Sequence, residues 1–150
     1  MFEDLRNLYQ DTIMQRGKSP KHGSRLAVFD AQAKGDNPMC GDRVHVFLRH
    51  EGGRVAELGF EARGCAISIA SADLMAEAVA GQSDARALEI ADAVFAMVRT
   101  GDITDPSLDL LRPLAAVSEA KSRIKCATLP WGALQSALAG SGAEKGSVEA

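Results

Sequence analysis

Val55-Ala56-Glu57-Leu58-Gly59-Phe60-Glu61-Ala62-Arg63-Gly64-Cys65-Ala66-Ile67-Ser68-Ile69-Ala70-Ser71 changes its hydrophobic period at Gly64. Before the glycine, Ala56, Leu58, Phe60 and Ala62 fall on one side and Glu57 and Glu61 on the other, the alternation of a half-buried strand. After Cys65, the residues Ile67, Ala70, Leu74, Met75 and Ala78 recur at helical spacing until Gly81. A strand therefore ends in a glycine turn and a helix begins at once, with a cysteine at the junction.

Upstream, Val44, Val46 and Leu48 alternate in the same way, and Gly52-Gly53 is a turn signal, so residues 43–62 read as an antiparallel hairpin with one wet face. Residues 26–31 are the candidate third strand, and 33–39 read as a polar loop that delivers Cys40. Three strands are about the minimum for a stable sheet. Residues 2–15 carry Leu5, Leu8, Tyr9, Thr12 and Ile13 at helical spacing, with a stop near Gly17. Downstream, Ser83 is a good N-cap for a helix with the stripe Leu88, Ala91, Val94, Phe95 and Val98, ended by Gly101. Residues 107–118 read as a short helix restarted at Pro113. Thr128 reads as the cap of a last helix, with Pro130 in its first turn and Trp131 as a core anchor. Residues 140–150 show no apolar pattern and are expected to be a disordered tail. The expected architecture is α+β: a small antiparallel three-stranded sheet with helices packed on one face, in one domain over 1–139.

Composition bounds the function. A hydrophobic share of 46% with 25% charged residues fits a globular domain with a sizeable core. A net charge of −3 argues against a nucleic-acid partner, which calls for a basic patch. No apolar run reaches the about 20 residues that span a bilayer. The acidic start Met1-Phe2-Glu3-Asp4-Leu5 does not read as a signal peptide, so a cytoplasmic protein with reduced thiols is expected.

Three cysteines, Cys40, Cys65 and Cys126, all lie at element boundaries. At a helix start, Cys65 gains thiolate character from the helix dipole. Cys40 and Asp42 stand two apart, which on an extended backbone points both side chains to one side. Three thiolates and a carboxylate suit a tetrahedral zinc site of Cys40, Asp42, Cys65 and Cys126. Arg63, Arg123 and Lys125 stand near enough in sequence to offset its negative charge. The competing reading is three small buried hydrophobes, and the spacings are not those of a zinc finger. His45 and His50 read as solvated surface residues, and Ser68 and Ser71 as small residues that let helices pack closely.

Four segments resemble the U-type iron–sulfur cluster assembly proteins, related to the N-terminal domain of NifU and most similar to the SufU branch. They are Leu8-Tyr9-Gln10-Asp11-Thr12-Ile13-Met14, Asn37-Pro38-Met39-Cys40-Gly41-Asp42-Arg43, Gly64-Cys65-Ala66-Ile67-Ser68-Ile69-Ala70-Ser71-Ala72 and Arg123-Ile124-Lys125-Cys126-Ala127-Thr128-Leu129-Pro130-Trp131. The scaffold branch places a histidine just before the third cysteine; here Lys125 stands there. The resemblance implies a SufE/NifU-like fold and zinc on Cys40, Asp42, Cys65 and Cys126. It also implies a PLP-dependent, SufS-like cysteine desulfurase as partner, Cys40 as the sulfur-accepting thiol, and downstream iron–sulfur scaffold proteins as recipients. The alternative it leaves is a scaffold that assembles a [2Fe–2S] cluster on the same cysteines.

Overall fold

The structure is a computed structural model that describes residues 2–38, 41–102, 105–139 and 147–149. Met39 and Cys40 lie outside the described residues, as do the side chains of Leu5, Leu8 and Tyr9. A first helix, α1 (Phe2–Lys18), leads into the sheet strands β1 (Ala31–Asn37), β2 (Asp42–Glu51) and β3 (Arg54–Arg63). Then come α2 (Ala66–Val79), α3 (Asp84–Thr100), a 3-10 segment Pro106–Glu119, and a short 3-10 turn that runs into α4 (Ile124–Ala139).

The β2–β3 hairpin and the strand-to-helix switch at Gly64 are as expected. Inward-facing Val44, Val46, Leu48, Leu58 and Phe60 are buried beneath α2 and α4. A register shift at Arg49/His50 moves the inward phase of β3 from Ala56 to Val55 at the hairpin end. Ser83 caps α3 by accepting the Arg86 N–H at 3.1 Å, and Gly101 closes it in the left-handed region at φ 82°. Trp131 is fully buried, as expected of a core anchor.

The third strand is displaced from the expected 26–31 to Ala31–Asn37. Its inward positions are Ala31, Ala33, Gly35 and Asn37, too small to register as an apolar stripe, yet all are buried. Small residues are required here. A Cβ on Gly35 would already press on Leu129 at 3.2 Å and Ala133 at 3.4 Å of α4. Leu26 and Phe29 instead belong to a strap over the far face of the sheet. There Phe29 meets Phe47 edge-on at 5.0 Å and the Arg25 guanidinium stacks over both rings. The strap crosses the outer strand β3 where Gly59 lets the Ser24 carbonyl come close.

One further expectation is corrected. Part of the expected disordered tail, Ser147–Glu149, forms a short strand β4 parallel to β1, giving the order β3-β2-β1-β4. The open edge of β1 offers backbone groups that any extended segment can pair with, whatever its side chains. Residues 140–146 and Ala150 lie outside the described residues. As expected, α1 ends beside Gly17, at Lys18; a Cβ on Gly17 would stand 2.6 Å from that of Ala66, so the glycine also permits α1 to cross the start of α2.

Candidate metal centre

Three chain junctions meet at one end of the sheet. Asp42 opens β2 directly opposite Asn37, the last residue of β1, and the turn between them closes with Gly41 N–H donating to the Asn37 carbonyl at 2.8 Å. Arg63 closes β3 beside Arg43, so Gly64 and Cys65 fall next to Asp42. α4 brings Cys126 to the same place. The candidate ligand atoms of Asp42, Cys65 and Cys126 all lie within 4.8 Å of one another. Cys40, the fourth expected ligand, lies outside the described residues.

The backbone is shaped for this meeting. Gly64 has φ 138°, and a Cβ there would fall on Asp42 Oδ1. Without one, the Cys65 N–H donates to Asp42 Oδ1 at 2.9 Å. Cys65 holds the N-cap position of α2, but its side chain accepts none of the helix N–H groups. Its Sγ instead faces Asp42 Oδ2 at 3.8 Å. Asp42 is buried, Cys126 fully so, and Cys65 is half-buried, opening onto a cleft of about 500 Å³ lined by Ile13, Met14, Ala66, Ile67 and Arg123.

Burial pushes the Cys126 thiol pKa up, and the neighbouring Asp42 and Cys65 add to the shift. Two sulfurs and a carboxylate within 4.8 Å of one another, Asp42 and Cys126 buried, call for a shared counter-charge. A thiophilic dication meets that need, because it favours the thiolates and accepts the carboxylate. The donor set therefore fits zinc.

Sequence reasoning missed four features. Cys126 does not precede the last helix; it lies inside α4, which starts at Ile124. Thr128 is accordingly not the cap, and its hydroxyl donates back to the Lys125 carbonyl at 3.4 Å. Pro130 sits in the interior of α4 rather than its first turn, and a proline has no N–H for the carbonyl four residues earlier, here that of Cys126. The Ser68 hydroxyl stands 3.0 Å from that carbonyl and 3.0 Å from Asp42 Oδ2. Ser71 likewise donates to the Ala127 carbonyl at 2.6 Å and accepts from Trp131 Nε1 at 3.0 Å. The two serines thus tie α2 to α4 through hydrogen bonds as well as by being small. The readable signals were a proline four residues after a cysteine and two serines three apart on one helix.

Of the three cations expected to offset the site's charge, Arg123 lines the cleft at Cys65. Lys125 is exposed, and Arg63 borders a polar hollow with Lys34, Arg43 and His45. The histidines are not free surface groups. His45 Nε2 pairs with Gln32 at 2.7 Å, and its ring lies 4.1 Å from that of Phe47. His50 is held between Asp30 and Asp84.

The family described as NifU-like N-terminal domain matches residues 8–142. A zinc-dependent sulfurtransferase, SufU of Bacillus subtilis (strain 168), is 37% identical over 141 residues, covering 91% of this chain and 92% of that protein. The iron–sulfur cluster assembly scaffold protein IscU of Streptococcus pyogenes serotype M1 is 33% identical over 135 residues, covering 89% and 84%. Among solved structures, a protein described as an iron–sulfur cluster assembly scaffold for the SUF system, from Fervidobacterium islandicum AW-1, superposes with a TM-score of 0.81. It is 29% identical, with 89% of this chain and 98% of that one covered.

Proposed function

Because this chain belongs to the NifU-like N-terminal domain family, we propose that it is a zinc-dependent sulfur acceptor in iron–sulfur cluster assembly, working in the cytoplasm. The observation that carries the reading is the convergence of Asp42, Cys65 and Cys126 from three separate junctions. Their chemistry agrees with the zinc dependence named for the Bacillus relative. Lys125, where the scaffold branch has a histidine, favours sulfur acceptance over cluster building.

In this reading Cys40, Asp42, Cys65 and Cys126 hold the ion. When bound, it keeps buried thiols as thiolates at neutral pH and ties the three junctions together. The partner is a PLP-dependent cysteine desulfurase carrying a cysteine persulfide. The Cys40 thiolate attacks the terminal sulfur of that persulfide. The partner's S–S bond breaks, a new S–S bond forms on Cys40, and the partner's cysteine leaves as a thiolate. Cys65 and Cys126, set in the cap and body of two packed helices, are the fixed donors; Cys40, two positions before Asp42 in sequence, is the proposed sulfur acceptor. Arg123 beside the cleft offers a positive charge to an arriving persulfide.

The test is Cys40→Ala incubated with a cysteine desulfurase and cysteine. Wild type should gain 32 Da units of sulfur on Cys40 by mass spectrometry, roughly one per chain as expected of single-thiol exchange, and the variant should gain none. A variant that accepts sulfur and stimulates the desulfurase normally overturns the reading. The second reading, a scaffold for a [2Fe–2S] cluster, is favoured by the 33% identity to the streptococcal protein. Anaerobic reconstitution separates the two. A stable visible chromophore that moves to an apo-acceptor means the scaffold; a colourless protein holding zinc means the acceptor.

A further inference from the structure

Ser68 is fully buried at the contact of β2, α2 and α4, and its hydroxyl has one proton for two acceptors. One acceptor is Asp42 Oδ2, the oxygen that faces Cys65 Sγ. The other is the carbonyl of Cys126, whose usual helical donor is replaced by Pro130. Both acceptors belong to candidate ligands, and Cys65 Sγ itself lies 3.9 Å from the same hydroxyl.

We propose that Ser68 is the positioning residue of the metal centre, dividing its hydroxyl proton between the Asp42 carboxylate and the Cys126 carbonyl and so setting how firmly Asp42 is held as a ligand. The inference rests on the reading of Asp42, Cys65 and Cys126 as ligands. The balance follows from acceptor strength. A carboxylate not engaged elsewhere is the stronger acceptor and draws the proton. A carboxylate whose charge is shared with a cation is weaker, and the proton then returns to the Cys126 carbonyl, whose usual helical N–H donor Pro130 cannot supply. Either way the hydroxyl proton has an acceptor, and the share that Asp42 receives depends on how strongly its charge is engaged elsewhere. By donating to Asp42 Oδ2, Ser68 would thus keep the carboxylate turned toward the cysteine sulfurs, and its loss would let Asp42 exchange more readily. Groups that orient a ligand from behind typically change metal affinity by about ten- to a hundred-fold when removed.

The experiment uses the full chain and cobalt(II) as an optical probe, followed by zinc release to a chromogenic chelator, with no desulfurase present. Wild type should show thiolate-to-cobalt charge transfer with tetrahedral bands. In Ser68→Ala the bands should shift and zinc should leave about ten-fold faster; Ser68→Thr, which keeps the hydroxyl, should restore both. Pro130→Ala returns an N–H to the Cys126 carbonyl and frees the Ser68 proton for Asp42, so it should move the cobalt bands in the direction opposite to Ser68→Ala. This variant decides the matter should Ser68→Ala fail to fold. Wild-type spectra and release rates in Ser68→Ala, equal damage in Ser68→Ala and Ser68→Thr, or an unmoved spectrum in Pro130→Ala each overturn the assignment to the hydroxyl. A wild-type chain that binds neither cobalt nor zinc through thiolates overturns the ligand reading itself.

Discussion

A hydrogen atom in place of a side chain at Gly64 decides whether Asp42 and Cys65 can meet. The φ of 138° is one that side-chain-bearing residues rarely adopt, and the space a methyl group would fill is taken by the Asp42 carboxylate. Both costs act at once in Gly64→Ala. Either the backbone rotates away, breaking the Cys65 N–H···Asp42 bond, or Asp42 swings out of the set. The expected loss is about 2–3 kcal/mol of stability, together with most of the bound metal, read by urea denaturation and by metal analysis of the purified protein. A variant that keeps wild-type metal content would show that Asp42 is dispensable.

Between elements, His50 is the link that responds to pH. It sits where β2 ends, with Nδ1 on Asp30 of the strap at 2.6 Å and Nε2 on Asp84 of α3 at 2.8 Å. Two ionised carboxylates can only accept, so the doubly protonated imidazolium alone satisfies both. Burial opposes that charge, but the hydrogen bonds and charges of Asp30 and Asp84 outweigh it and raise the pKa above the ordinary 6.5. A folded value above the unfolded one stabilises fully below pH 6.5 and loses that contribution as pH climbs through the raised value. Both carboxylates are well exposed, so the clasp is worth about 1 kcal/mol. His50→Gln should trail wild type by that much at pH 6 and converge with it by pH 9; a gap that ignores pH would mean the ring is held only by packing. The clasp escaped sequence reasoning because its members are distant in the chain. The hairpin, the α3 caps and the junctional cysteines were legible because each rests on neighbours in sequence. β1 was not, because its inward residues are Ala, Gly and Asn, and the burial that makes them a strand comes from α4. Asp42, Cys65 and Cys126 could be singled out as candidate ligands from residue type and junction position, and the fold brings the three together. Ser68 could not be assigned a role, because Pro130 and Asp42 reach it only in the folded chain.

For the whole molecule, the donor set joins the sheet to two helices. An ion bound to the folded state alone adds about 2.7 kcal/mol when present at a hundred times its dissociation constant. For a chain of this length that corresponds to about 8 °C in melting temperature. Chelating the purified protein should lower its Tm by that order, and added zinc should restore it; an unchanged Tm would place any bound ion elsewhere. The strand-to-helix junction at Gly64 has a consequence for the newly made chain. Asp42 is 23 positions from Cys65, and Ser68 is 58 from the Cys126 carbonyl. Such long loops close late in folding. An ion held by Asp42, Cys65 and Cys126 would therefore find its donors together only after hairpin, α2 and α4 have docked. Loading would then act as a quality check: a chain halted part-way, or misassembled at any of the three junctions, would lack the assembled donor set and leave the metal in solution.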